Sequence, residues 1–180
     1  IAFFDMSGGP ASLGVHYVSF MDGRYAHITT GAPDFEPKHP KDHQFYMIVD
    51  LANPSKPTEV GRWWMPGQRK GDKHELPPRH VEFDFAYRPH HTLSYPERPD
   101  RAYIGYIDGG AVILDISDMG KPRMIGRWDY HPPMPGFCHT LLPLFDRNLL
   151  VVSDECVRNK GVDWPKLVWV VDMRQEDKLV

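Results

Sequence analysis

Only two cysteines, Cys138 and Cys156, occur among the 180 residues. A scaffold stapled by several disulfides is therefore excluded, and with no export signal visible two reduced thiols are expected. The pair nevertheless flanks His139 and Asp154 on what reads as one hairpin, so a cross-strand disulfide stays open on distance alone. A cysteine in a soft-metal site, favouring copper or zinc, stays open too. No apolar run approaches the ~20 residues needed to span a bilayer. The start shows no basic, apolar and small-residue order of a secretory leader. A membrane partner is not expected, and the chain reads as cytoplasmic. The 21 Lys and Arg are scattered and outnumbered by 24 Asp and Glu, for a net charge of −3. No basic face advertises nucleic acid. There is no Gly-rich phosphate loop, no G-x-S-x-G and no H-E-x-x-H, which argues against nucleotide-dependent and serine-hydrolase chemistry. Helical periodicity is missing as well.

What the chain has is proline, glycine and repetition. Eighteen prolines and fifteen glycines accompany a 41% hydrophobic content, as expected of many short strands separated by turns. The stretch Gly110–Trp128 runs G-A-V-I-L-D, then a polar turn, then a second strand closing on M-I-G-R-W. The same design occupies Gln44–Trp63, as Q-F-Y-M-I-V-D through V-G-R-W. It begins again at Lys166 as K-L-V-W-V-V-D-M, and a shorter echo opens the chain as I-A-F-F-D-M-S. A unit recurring every ~45–65 residues is the mark of a repeat architecture.

Taken in order, Ile1–Ser7 reads as one strand from a preceding unit. Val15–Phe20 and Arg24–Thr30 flank an Asp-Gly turn, and Gln44–Leu51 and Thr58–Met65 complete a set of four. His91–Tyr95, Ala102–Asp108, Gly110–Ile116 and Pro122–Trp128 form a second set. His139–Leu144, Asn148–Asp154 and Leu167–Met173 form a third, without its fourth strand. Matching Arg101 in R-A-Y-I-G-Y-I-D to Arg147 in R-N-L-L-V-V-S-D aligns Asp108 with Asp154. Two proline-rich segments, 31–43 and 66–89, interrupt the pattern as insertions, with Val81–Tyr87 alternating in strand fashion. Four antiparallel strands per unit predict an all-β chain forming about three β-propeller blades, near 15–65, 91–130 and 139–180. A β-sandwich has strands of similar length but does not repeat its own sequence.

The strand ending I-V-D or I-L-D, the Asp/Asn and Pro turn and V-G-R-W together resemble the LVIVD-repeat β-propeller family. That resemblance covers most of the chain and implies a fold more than a reaction. It carries a distant likeness to selenium-binding, methanethiol-oxidising propellers. Closed propellers have 4–8 blades, so three blades and two ends that fall within blades imply a remainder. It would come from another part of a longer chain or from a second copy.

One histidine precedes or opens the first strand of each blade: His16, His91 and His139. First strands line the channel of a propeller, so these three converge if they share a register. Neutral imidazoles there would bind a divalent transition metal, whether zinc, iron, manganese or copper. A repeat-consensus role, tying blade to blade, explains the same recurrence. Asp108 and Asp154, ending second strands, are expected to accept the outer N–H of His91 and His139. Glu155 is the candidate general base. Asp50, Asp115 and Asp172 read as turn caps, and Trp63, Trp64 and Trp128 as packing between blades. His39 and His43 could supply ligands or simply lie on a loop; His90 is one of several histidines left unassigned. The insertions are expected to roof the site and select a small organic substrate. Two functions follow, a metal-dependent hydrolase, lyase or oxidoreductase and a non-catalytic scaffold for protein partners.

Overall fold

A computed structural model describes residues 2, 4, 5 and 13–180. Three antiparallel sheets follow one another along the chain. The first contains β1 (Tyr17–Ser19), β2 (Tyr25–Thr30), β3 (Phe45–Asp50) and β4 (Thr58–Trp63). The second contains β5 (Pro89–Tyr95), β6 (Arg98–Tyr106), β7 (Gly110–Asp115) and β8 (Arg123–Trp128). The third contains β9 (Cys138–Leu144), β10 (Leu149–Asp154) and β11 (Val168–Asp172). Each is a meander in chain order, and the described residues contain no α-helix. This is an open set of propeller blades. The strand expected over Ile1–Ser7 lies outside the described residues apart from Ala2, Phe4 and Asp5, none of them in a strand. Val81–Tyr87 forms no strand either: its backbone is held by side chains, Phe85 and Ala86 donating to Asp108.

The aspartate closing each third strand fixes the turn that follows. Asp50, Asp115 and Asp172 accept from the backbone N–H two residues on, at 2.7, 2.9 and 2.9 Å. Each is also paired with an arginine, Arg24, Arg123 and Arg174 respectively. Short side-chain loops of this kind are what aspartate offers a turn. Hydrogen bonds hold all three carboxyls below the ordinary carboxylate range, Asp115 at about 2.

Alternation along the strands sends successive side chains to opposite faces. Tyr46 and Ile48 of the first sheet meet Ile104, Val112 and Leu114 of the second in one apolar layer. Tyr103, Ala111 and Ile113, on the second sheet's other face, meet Leu141, Leu150 and Val152 of the third. The glycine of each G-R-W segment permits this stacking. A Cβ on Gly61 would sit 2.0 Å from the Met119 carbonyl oxygen, and one on Gly126 1.7 Å from that of Glu176. In both places the turn of the next blade rests on bare backbone. The tryptophans follow suit, with Trp63 edge-on to Tyr106 at 5.7 Å and Trp128 edge-on to Trp169 at 5.3 Å.

The two ends of the stack differ. On the first sheet, Phe45, Met47 and Val49 are covered by Ala32 and Phe35 of the first insertion, together with Trp64. On the third sheet, Leu142, Val168 and Val170 are 48, 69 and 65% exposed. Both cysteines are free thiols, Cys138 buried and Cys156 exposed. Among the described residues no helix is long and apolar enough to cross a membrane.

Candidate metal centre

The innermost strands β1, β5 and β9 lie side by side, and four imidazoles meet where they do. His16, whose N–H bonds the Thr29 carbonyl at 2.8 Å, comes just before β1. His90 and His91 are on β5, and His139 is on β9. The Nε2 atoms of His16 and His90 are 2.9 Å apart. Ring centroids lie 4.3 Å apart for His90 and His139, and 4.1 Å for His91 and His139. One nitrogen from each of His90, His91 and His139 falls within 4.8 Å of the others. Glu155 completes the group, its Oε2 3.4 Å from His139 Nε2 and 3.7 Å from His90 Nε2.

The strand register decides which histidines are equivalent. Tyr25, Arg101 and Leu149 oppose the closing aspartates Asp50, Asp115 and Asp172. Counting inward from them, the first strands align through Val18–Ile28, Thr92–Ile104 and Leu141–Val152. An extra residue bulges β5 between Pro89 and Thr92, and another bulges β9 beside Asp154. His90, not His91, is therefore the counterpart of His16 and His139. His91 stands level with Tyr17 and Thr140, and contacts both: stacked on Tyr17 at 4.1 Å and 2.8 Å from Thr140 Oγ1. Backbone geometry agrees. The His90 carbonyl accepts from the Thr29 hydroxyl at 2.8 Å. At the matching place on the next blade, a Cβ on Gly105 would lie 2.2 Å from the His139 carbonyl oxygen.

The same register shows that matching Arg101 with Arg147 slips by two residues. Asp154 is level with Tyr106, and Asp108 lies beyond the strand in a 3₁₀ turn, Ile107–Gly109. The two carboxylates do not sit behind the imidazoles as the sequence reading expected. Asp108 is 1% exposed and accepts from the Phe85 and Ala86 amides, and its Oδ1 has no protein partner. Burial pushes its carboxyl up to about 7. Asp154 accepts from the Tyr130 hydroxyl, the Leu167 amide and the Trp169 indole.

Thr140 occupies the outer position instead. Its hydroxyl lies 2.5 Å from His139 Nδ1 and 2.8 Å from His91 Nδ1. A hydroxyl has one proton and two lone pairs, so it can donate to one ring and accept from the other. A ring whose Nδ1 accepts keeps its proton on Nε2, so both Nε2 lone pairs face the site only when the hydroxyl accepts from both Nδ1–H groups with its two lone pairs. His90 and Thr140 were hidden in the sequence because the matching H-T-L triplets put His91 in register with His139. The adjacent pair His90-His91 was the available signal.

Burial pushes the His90 ring down to about 2 and His91 to about 4, with further lowering from the neighbouring histidines. His16 is lowered by burial, Arg88 and His139. Neutral imidazole is the form that ligates metals. The second insertion reaches the cluster through a relay: Phe85 meets Phe137 edge-on, and Phe137 meets His90 at 5.3 Å. His39 and His43 are elsewhere, at the ends of a 3₁₀ turn over Pro40–Asp42.

The family model of the LVIVD repeat matches residues 43–64 and 100–130. The chain thus carries two LVIVD-repeat segments. Its two matched LVIVD repeats cover β3 to β4 of the first blade and most of β6 to β8 of the second, just where Gly61 and Gly126 carry the next blade. The histidines of β5 and β9 fall outside both matched LVIVD segments. No curated protein matches the chain.

Proposed function

We propose that His16, His90, His91 and His139 bind one divalent transition-metal ion, and that the chain is a metal-dependent enzyme acting on a small organic molecule. The observation carrying this reading is four imidazoles and the Glu155 carboxylate converging at one end of the inner strands. Adjacent nitrogens on an ion with ~2.1 Å bonds sit roughly 3.0–3.4 Å apart. The 2.9 Å spacing of His16 and His90 fits that. One nitrogen from each of His90, His91 and His139 lies within 4.8 Å of the others, so the rings would have to turn inward on an ion.

A bound ion would supply Lewis acidity and an acidified water. The chain's own contributions are the neutral rings, the orienting Thr140 hydroxyl and a proton acceptor at Glu155 Oε2. Glu155 is 42% exposed at its side chain, so it stands at the mouth, where substrate and solvent arrive. Elemental analysis after incubation with zinc, iron, manganese or copper tests the site. The expected result is one ion per chain, lost in His90→Ala and His139→Ala variants of unchanged circular dichroism. Absence of stoichiometric metal, or its retention in both variants, would overturn the reading.

A second reading concerns a partner, and rests on the bare third sheet. Val168 and Val170 are the register equivalents of Ala111 and Ile113, which pack against the next blade. Within the chain such a face packs against the next blade, which supports a further blade of the same repeat type as its cover. We propose a blade from additional repeat sequence as the occupant. Val170→Lys should leave the stability of this chain within about 0.5 kcal/mol, because the residue is exposed, and should abolish blade docking. A symmetric dimer in light scattering would point to a second copy, and unchanged association in the variant would refute the docking face.

A further inference from the structure

Arg88 lies two residues before His90, just ahead of β5. Its Nη1 donates to the Gln44 side-chain oxygen at 2.5 Å. The Gln44 amide in turn donates to the Gly14 carbonyl at 2.9 Å, two residues before His16. Arg88 is thereby moored beside the His16–His90 pair. Among the described residues it makes no ion pair with a carboxylate, although most other described arginines do. Burial lowers its pKa, and its charge in turn lowers those of His16, His43 and His90.

A partly buried guanidinium with a single neutral acceptor is a costly arrangement. It has five donors in a planar fork, matched by a carboxylate in two parallel bonds. It is also two residues from His90 in a cluster of imidazoles suited to a cation, which the Arg88 charge would repel. An anion between the two relieves both conflicts at once. We propose that Arg88 is a substrate-binding residue, and that the histidine site takes a small organic carboxylate whose carboxyl group docks on the free guanidinium donors. The role as substrate rests on the metal-site reading above, whereas binding of the carboxylate is measurable without metal.

The probes are acetate and its neutral counterpart acetamide, followed by saturation-transfer NMR on the metal-free full chain. Acetate should bind the wild-type chain saturably and acetamide should not. Arg88→Gln should weaken acetate about 10- to 100-fold, the worth of hydrogen bonds to a charged group. Arg88→Lys, which keeps the charge but not the fork, should fall between. Metal content, measured separately after incubation with zinc, should be unchanged or higher in Arg88→Gln. Equal acetate binding in wild type and Arg88→Gln, binding of acetamide as tight as acetate, or no saturable acetate signal overturns the proposal. Failure to bind metal with Arg88-dependent acetate binding intact would strike the metal reading alone. Should Arg88→Gln not fold, Arg88→Lys and the acetate–acetamide comparison still decide.

Discussion

The Nε2 atoms of His16 and His90 face each other at 2.9 Å across the seam between the first two blades. Two N–H groups cannot meet at that distance, so one nitrogen donates and the other accepts, or both turn their lone pairs to a cation. His90 is 6% exposed and central, in ring contact with His16, His91 and His139. Replacing His90 by alanine should therefore abolish stoichiometric metal uptake at least as fully as replacing His139. Calorimetric titration with zinc checks this, and a His90→Ala chain that binds like wild type refutes the central role of His90.

Thr140 touches the Nδ1 atoms of two rings, whereas Asp108 and Asp154 are engaged elsewhere. Removing an outer partner of a metal-bound histidine costs about 10- to 100-fold in affinity. Thr140→Val keeps the shape and deletes the hydroxyl, so it should show that loss with little change in melting temperature. Asp108→Asn should leave zinc affinity within a few-fold of wild type. The reverse order of effects would restore the aspartates as the orienting groups.

His27 is 1% exposed, with Nδ1 2.6 Å from the Tyr46 hydroxyl, and burial lowers its pKa from 6.5 to about 4. A depressed histidine is neutral in the folded chain and takes up a proton on unfolding. Its stabilising contribution is thus complete above about pH 6.5 and declines as pH falls toward about 4, by at most about 1.4 kcal/mol per unit. Urea midpoints measured across that window should fall more steeply for wild type than for His27→Gln. Parallel slopes would mean that His27 is not the titrating group.

Gly126 has the Glu176 carbonyl where a Cβ would be, and Gly61 has that of Met119. Both contacts are backbone, so relief requires the blades to part. Gly126→Ala should destabilise by about 1–3 kcal/mol or more, whereas Gly71→Ala, where a Cβ meets nothing, loses only what its positive φ imposes. Denaturant unfolding of the two variants gives the comparison.

The sequence by itself determined the architecture. Apolar runs closing on Asp50, Asp115 and Asp172, with G-R-W after the first two, specify three like sheets. They do so because a period of two, an aspartate-capped turn and a glycine under the next blade are local requirements written in adjacent residues. It also brought His16, His91 and His139 to one end of the first strands, since repetition carries position. Tertiary structure decided what those neighbourhoods contain. The β5–β6 pairing shifts between Leu93 and Tyr95, setting β5 one residue off the count the repeat suggests, and side-chain alternation turns such a shift into a change of face. That exchange placed His90 beside His16, set His91 against Tyr17 and Thr140, and left Asp108 and Asp154 with other partners. No pattern of letters reports a bulge, because it is fixed by hydrogen bonds between strands and by the packing of one blade on the next.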